Sequence, residues 1–285
     1  MEEIANHIFI ESRCCGVVLA VLKLKDGLII VDAPFKPEDQ QNWRAKLKEF
    51  RGANKRLLVM LDTHIDRTLG IRALETNVLG HANAVEIMRE RPTTARGQDN
   101  DAGADWEPFD LPANIRWAIP DMTYSKRVTI HWDDQPVEIT HHFGSHLAGS
   151  WLQVPAEKII FIGDSIVLGQ PPFLAWSDLD QWLLDLAWLG SDEFKGYQII
   201  SGRNGLVKKN AIEKMVKLLS QIKIVVDDLA GENNRIVEII KVVPSLLKKF
   251  TYDKTCQEQY ENRLIWGLDQ YLKRHYPAAD ANHKG

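Results

Sequence analysis

The chain has 285 residues, 45% of them hydrophobic and 26% charged, with a formal net charge of -4. That composition supplies a large core, and it excludes the basic excess that a nucleic-acid-binding surface needs. No apolar run approaches the roughly 20 residues needed to span a bilayer, so no membrane association is expected. Met1-Glu2-Glu3 also lacks the basic start and apolar core of a signal peptide. The cysteines, Cys14, Cys15 and Cys256, are odd in number and have no C-x-x-C spacing. A disulfide framework or a structural zinc site is therefore not expected, and a reducing, cytoplasmic location is.

In chain order, Ile8-Phe9-Ile10 and the segment from Gly16 to Leu24 read as strands. Lys25-Asp26-Gly27 is a hairpin turn signal, and Leu28-Ile29-Ile30-Val31 follows as a buried strand ending in Asp32. Residues 37–50 carry helical spacing, with Trp43, Leu47 and Phe50 on one face. Arg56 to Leu61 is a further apolar strand, which delivers the chain into Asp62-Thr63-His64-Ile65-Asp66-Arg67. A helix is expected nearby and another from Asn83 to Arg91, stopped by Pro92. The polar stretch from Thr93 to Glu107 reads as a mobile loop or a lid.

From Met122 to Thr140 the pattern alternates as an antiparallel hairpin. Ser150 to Val154 and Lys158 to Ile162 are two more strands around Pro155-Ala156-Glu157, and Leu179 to Leu189 is an amphipathic helix. Tyr197 to Ile200 is a last short strand, ahead of helices over Ala211–Val226, Asn234–Val242 and Cys256–Arg274 and a frayed tail after Pro277. Two rounds of strands with helices between and after them suit two packed sheets covered by helices. No repeat or low-complexity linker divides the chain, so one domain over residues 1–285 is expected, with a core at 4–220 and a helical C-terminal extension at 221–276. Ile236, Ile239, Ile240, Val243, Leu246 and Leu247 are numerous for a peripheral segment. They suit either a homodimer built through these helices or packing on the chain's own sheets.

Four polar clusters sit at strand ends: Asp62-x-His64-x-Asp66-Arg67, His142-x-x-x-His146, Gly163-Asp164-Ser165 and Gly202-Arg203-Asn204. Polar side chains just beyond buried strands are where sites are assembled. Two imidazoles and up to three carboxylates suit one divalent ion of the Zn, Fe or Mn kind. His142 reads as structural, hydrogen-bonded to backbone, His81 as a residue beside a helix start, and Asp32 as a brace held by backbone hydrogen bonds. Pro171 to Trp176 either walls the cleft or packs in the core.

These motifs together resemble the metallo-β-lactamase superfamily. The Asp-Gly hairpin ending in Val31-Asp32 is similar to its first motif, and Leu61 to Gly70 resembles H-x-H-x-D-H-x-x-G. His142 to Ser150 resembles H-x-x-G-H-T-x-G-S, Phe161 to Asp164 the metal-bridging Asp motif, and Ser201-Gly202-Arg203 the final P-G-H turn. The resemblance implies an α/β fold, a four-layer αββα sandwich. It also implies a metal set of Asp62, His64, His146 and Asp164. Three positions depart from the pattern: Asp62, Arg67 and Arg203 stand where the family has histidine. Arginine stays protonated and offers no lone pair, so one ion rather than two is expected. The two arginines would neutralise Asp66 and Asp164 in the other ion's place.

The activity implied is a mononuclear metal-dependent hydrolase acting on a small ester, amide or phosphate-type substrate. Asp66 or Asp164 would take the proton, and Arg67 and Arg203 would hold an anionic group. Two alternatives stay open. One is a metal-free, inactive relative that serves as a binding or scaffold protein. The other is an Fe(II) oxygenase like the superfamily's persulfide dioxygenases.

Overall fold

The computed structural model describes residues 1–50, 55–92, 102–109 and 116–277. A seven-stranded sheet runs in chain order: β1 (Glu2–Ala5), β2 (Ile8–Glu11), β3 (Leu19–Lys23), β4 (Gly27–Val31), β5 (Lys55–Val59), β6 (Asn77–His81) and β7 (Met122–Tyr124). Its first four strands are an antiparallel meander, and β4 to β7 are parallel. Parallel neighbours need crossovers. These carry α1 (Pro37–Glu49), the one-turn α2 (Ile65–Thr68) and α3 (Ala82–Glu90).

The second sheet has the order β13-β12-β11-β10-β9-β8. Its strands are β8 (Arg127–Ile130), β9 (Val137–His141), β10 (Ser150–Val154), β11 (Ile159–Phe161), β12 (Gln198–Ser201) and β13 (Gly205–Val207). Only β11 and β12 pair in parallel, and α4 (Leu179–Leu189) lies between them in the chain. Then come α5 (Asn210–Ala230), α6 (Arg235–Leu247) and α7 (Gln257–His275).

Three cores separate four layers, because strand side chains alternate between two faces. In β4, Leu28 and Ile30 pack outward with Trp43 and Leu47 of α1, whereas Ile29 and Val31 pack inward against the second sheet. In β11, Ile159 and Phe161 join that inner core, whereas Ile160 faces α4 and α5 with Trp182, Leu186 and Met215. A strand buried on both faces reads as an unbroken apolar run rather than an alternation, which is the form of Gly27-Leu-Ile-Ile-Val31. Truncating an inner-core side chain such as Leu152 to alanine is worth about 2–5 kcal/mol.

Two expectations need correction. The expected hairpin from Met122 to Thr140 is split. β7 adds to the first sheet beside β6, and only β8 and β9 pair as a hairpin in the second. Strands β1, β6 and β13 were not foreseen. The first begins Glu2-Glu3, the second contains Gly80, and the third is three residues long. Pairing with neighbours, rather than propensity, makes them strands: β1 and β13 at sheet edges, β6 between β5 and β7. Among the C-terminal residues, Ile239, Val243, Leu246 and Leu247 are buried in the chain's own helical core, while Ile236 and Ile240 are exposed. Residues 93–101 and those after 277 lie outside the described set. Among the described residues no helix is long and apolar enough to cross a membrane.

Candidate metal centre

The polar clusters converge at one edge of both sheets, where backbone bonds tie the sheets together. The Ser150 amide donates to Leu61 O at 2.7 Å, and the Val18 amide donates to Gly202 O at 2.7 Å. The Gly202 amide in turn donates to Gly163 O at 2.7 Å, joining the turns after β11 and β12. The Asp62 and Asp164 turns are thereby held face to face.

Just beyond β5 the chain turns sharply into α2. Asp62 Oδ1 accepts from the His64 amide at 2.9 Å, an Asx-type turn that stops the strand. The Thr68 hydroxyl donates back to His64 O at 2.9 Å. Asp32 occupies the left-handed region at φ 57°, which Asp tolerates better than most residues. That turn aims Oδ1 at the Leu61 amide, 3.0 Å away, so Asp32 braces the site as expected.

Asp62, His64 and Asp164 each offer a ligand atom, and these atoms all lie within 4.8 Å of one another in a fully buried group. His64 Nε2 is 3.6 Å from Asp164 Oδ2. His146, the fourth expected ligand, stands beside them, its ring centroid 5.0 Å from that of His64. Its nitrogens are engaged elsewhere. The Ala148 amide donates to Nδ1 at 3.0 Å, and Nε2 lies 3.0 Å from the Thr63 hydroxyl.

The two arginines are buried among the carboxylates. Arg67 contacts Asp62 at 3.2 Å and Asp32 at 3.4 Å, and donates a short hydrogen bond to Asp164. Arg203 donates from Nε to Asp164 at 2.8 Å, and from Nη1 to Asp66 at 3.0 Å, Asp105 at 3.1 Å and Gly16 O at 3.1 Å. Sequence reasoning foresaw the pairs with Asp66 and Asp164. It did not foresee that Arg67 reaches Asp62 and Asp32, or that Asp105 joins. Gly202 makes the arrangement feasible, because a Cβ there would lie 2.8 Å from Arg67 Nη1 and 3.1 Å from Gly163 O.

Arg263 of α7 completes the network, 3.5 Å from Asp105. Five carboxylates (Asp32, Asp62, Asp66, Asp105 and Asp164) thus face three guanidinium groups, an excess of two negative charges when all are ionised. Burial and neighbouring charge move these carboxyls in opposite directions. Burial pushes the Asp32 carboxyl up to about 7, against the pull of Arg67, and pushes Asp66 up to about 6, against the pull of Arg203. Burial acts the same way on Asp164, but Arg203, Arg67 and His64 outweigh it and hold that carboxyl well below the usual range. Three buried atoms of the network lack a hydrogen-bond partner among the described residues, Asp66 Oδ1, Arg67 Nε and Arg203 Nη2.

A cover lies over this edge. Phe173, from the segment expected either to wall the cleft or to pack in the core, has its ring 4.5 Å from that of His64. The Arg203 and Arg263 guanidinium groups lie 4.6 and 4.1 Å from the same ring. Asp105 and Arg263 escaped sequence reasoning. The only signal was an acidic residue beside Trp106 in a polar stretch and an arginine on the inner face of a helix.

Two further histidines, His142 and His81, have structural roles. His142 stacks on Trp151 and reaches Asp185 at 3.2 Å and the Thr140 hydroxyl at 3.1 Å. Its partners are therefore side chains rather than the expected backbone. His81 is the N-cap of α3, its Nδ1 accepting from the Asn83 amide.

The fold matches that of solved metallo-β-lactamase structures. The chain is similar to a metallo-β-lactamase from Pontibacter korlensis at 15% identity and a TM-score of 0.60, over 76% of this chain and 97% of that one. It is similar to the DIM-1 metallo-β-lactamase at 16% identity and a TM-score of 0.57, over 78% and 96% of the two chains. The same enzyme exposed to ceftazidime gives 17% identity and the same TM-score. No family model and no curated protein matches the chain. The chain has the metallo-β-lactamase fold.

Proposed function

We propose that the chain is a metal-dependent hydrolase whose site holds one divalent ion, zinc in the first instance, through Asp62, His64 and Asp164. The observation that carries this reading is the convergence of those three ligand atoms within 4.8 Å in a buried site. The excess of two negative charges around them is what one divalent cation neutralises. The donor set does not fit a second ion, because Asp66 is paired with Arg203, and Arg67 and Arg203 have no lone pair to give.

A divalent ion in such a site lowers the pKa of bound water toward about 7 and polarises an ester, amide or phosphate oxygen. The chain's own residues supply the rest. Asp66, with Oδ1 unpartnered among the described residues and its carboxyl pushed up to about 6, is suited to accept a proton near neutral pH. Arg203 has Nη2 left to donate to an anionic oxygen of a small substrate. Arg67 fixes Asp62 and Asp164 relative to each other.

One observation favours a second reading, a metal-free binding protein. Arg67 already contacts two of the three proposed ligands, and such pairs can satisfy buried carboxylates without an ion. Chelator-treated protein titrated with Zn²⁺, Mn²⁺ or Fe²⁺ separates the two. One equivalent bound with a raised Tm, lost in Asp62→Ala and His64→Ala, supports the hydrolase. No binding at micromolar metal supports the binding protein. Ion-dependent turnover of activated esters and phosphodiesters, lost in Asp66→Asn, tests the chemistry.

A further inference from the structure

We infer that Asp105 is an internal stand-in for a substrate carboxylate, and that it fills an anion seat built by Arg203 and Arg263 beside Phe173. The inferred occupant is the carboxylate of a small molecule, whose two oxygens would take the places of Asp105 Oδ2 on Arg203 and Oδ1 on Arg263. As a substrate seat it rests on the hydrolase reading. As an anion seat it does not.

Asp105 differs from every other carboxylate of the network. Asp32, Asp62 and Asp164 stand just beyond strand ends and Asp66 in the one-turn α2, and all four are sealed from solvent. Asp105 comes from the segment 102–109, and its side chain is 17% exposed. Its removal would leave the two arginines unequally served. Arg203 keeps Asp66 and Asp164. Arg263 keeps only neutral acceptors among the described residues: Gly103 O, Pro171 O and Gln170 Oε1. A buried guanidinium without an anion is a strong attractor for one, and Nη2 of Arg203, unpartnered among the described residues, adds a donor nearby.

The exchange needs no movement of the backbone. Ala104 and Trp106 on either side of Asp105 are buried in the core beneath the first sheet's helices. Gly103, at φ 75°, lies so close to α7 that a Cβ would meet Gln259 O at 2.3 Å. The Gln259 side chain donates to Ala104 O at 2.9 Å. The segment is clamped, so the exchange asks only the Asp105 side chain to leave the two arginines and the Gln259 side-chain amide, which donates to its Oδ1 at 3.3 Å. C-terminal helix α7 thereby contributes a residue to the seat.

The test uses the full chain without added divalent ion and sodium acetate as the probe, at ionic strength held constant with chloride. Asp105→Asn is expected to bind acetate at least tenfold more tightly than the unaltered protein, with the Arg263 Nε–H resonance moving on saturation. Asp134→Asn, which removes an exposed acid of the same charge, is expected to leave the affinity unchanged. Equal affinity in Asp105→Asn and the unaltered protein, or an equal gain in Asp134→Asn, overturns the inference. Should Asp105→Asn not fold, the Asp105 carboxyl carbon resonance of the unaltered protein gives the answer. It shifts saturably with acetate if the side chain is displaced, and stays fixed if the inference is wrong. Cation stoichiometry measured on the same proteins reads the hydrolase proposal separately.

Discussion

The Thr63 hydroxyl lies 3.0 Å from Nε2 of His146, while the Ala148 amide donates to Nδ1 of the same ring. An Nδ1 that accepts leaves the proton of the neutral ring on Nε2, where it is donated to Thr63. The Ala148 amide thus sets the tautomer that does not present a lone pair from Nε2, and Thr63 accepts from the Nε2–H. Thr63→Val keeps the shape and removes the acceptor. It leaves the Ala148 amide on Nδ1, so Nε2 stays protonated and divalent-ion affinity is expected to stay unchanged. The accompanying loss of stability is about 1 kcal/mol. Calorimetric titration with Zn²⁺ checks it, and a raised affinity would mean that Thr63, rather than the Ala148 amide, keeps His146 from acting as a fourth ligand.

Arg67 is fully buried against Asp32, Asp62 and Asp164. Removing one partner from such a group leaves uncompensated charge, a cost of about 3–5 kcal/mol. Arg67→Met in the metal-free protein is therefore expected to lower stability by that amount in urea unfolding. One equivalent of Zn²⁺ should recover more stability in the variant than in the unaltered chain, because the ion no longer competes with a guanidinium. Gly202→Ala should reproduce part of the loss, since its Cβ would press on Arg67.

Much of this site was legible because its residues follow the strands they terminate. Asp62, His64, Asp66, Asp164 and Arg203 each stand within a few residues of an apolar run, and the structure gathers them at one edge. What could not be read is what depends on side-chain direction or distant contact. His146 follows the expected motif, yet Thr63, 83 positions earlier, holds its Nε2. Arg263 lies on a helix whose pattern predicts only an apolar face, and its bond to Gly103 O spans 160 positions. In the fold, β7 was misread because alternation reports a half-buried strand but not the sheet it joins.

The buried carboxyl of Asp32 sets a pH dependence whose sign follows from its raised pKa. The folded protein binds this proton more tightly than the unfolded chain, whose Asp titrates near roughly 3.9. The group's stabilising contribution is therefore complete below about pH 4 and is lost as pH rises through about 7. Asp66 acts in the same direction up to about 6, whereas Asp164, held low, stabilises above its unfolded value and loses that as pH falls. Asp32→Asn isolates the first contribution, and Asn also tolerates the left-handed backbone. Urea unfolding without divalent ions should show the unaltered protein losing about 4 kcal/mol relative to the variant between pH 4 and 8. Parallel profiles would mean that Asp32 is not the titrating group.

The arginines are expected to be what limits the site to one ion, and replacing them tests this directly. Arg67 and Arg203 stand where the two-ion pattern has histidine, and each carries a charge that a second cation would otherwise supply. Arg67→His with Arg203→His restores two imidazoles beside Asp66 and removes two positive charges from a site already in negative excess. Without metal the double variant should be far less stable than either single variant, because Asp66 and Asp164 lose their partners together. With Zn²⁺ it should bind two equivalents where the unaltered protein binds one, as read by elemental analysis and native mass spectrometry. A persistent single equivalent would mean that the spacing of the two turns, rather than the guanidinium groups, excludes the second ion.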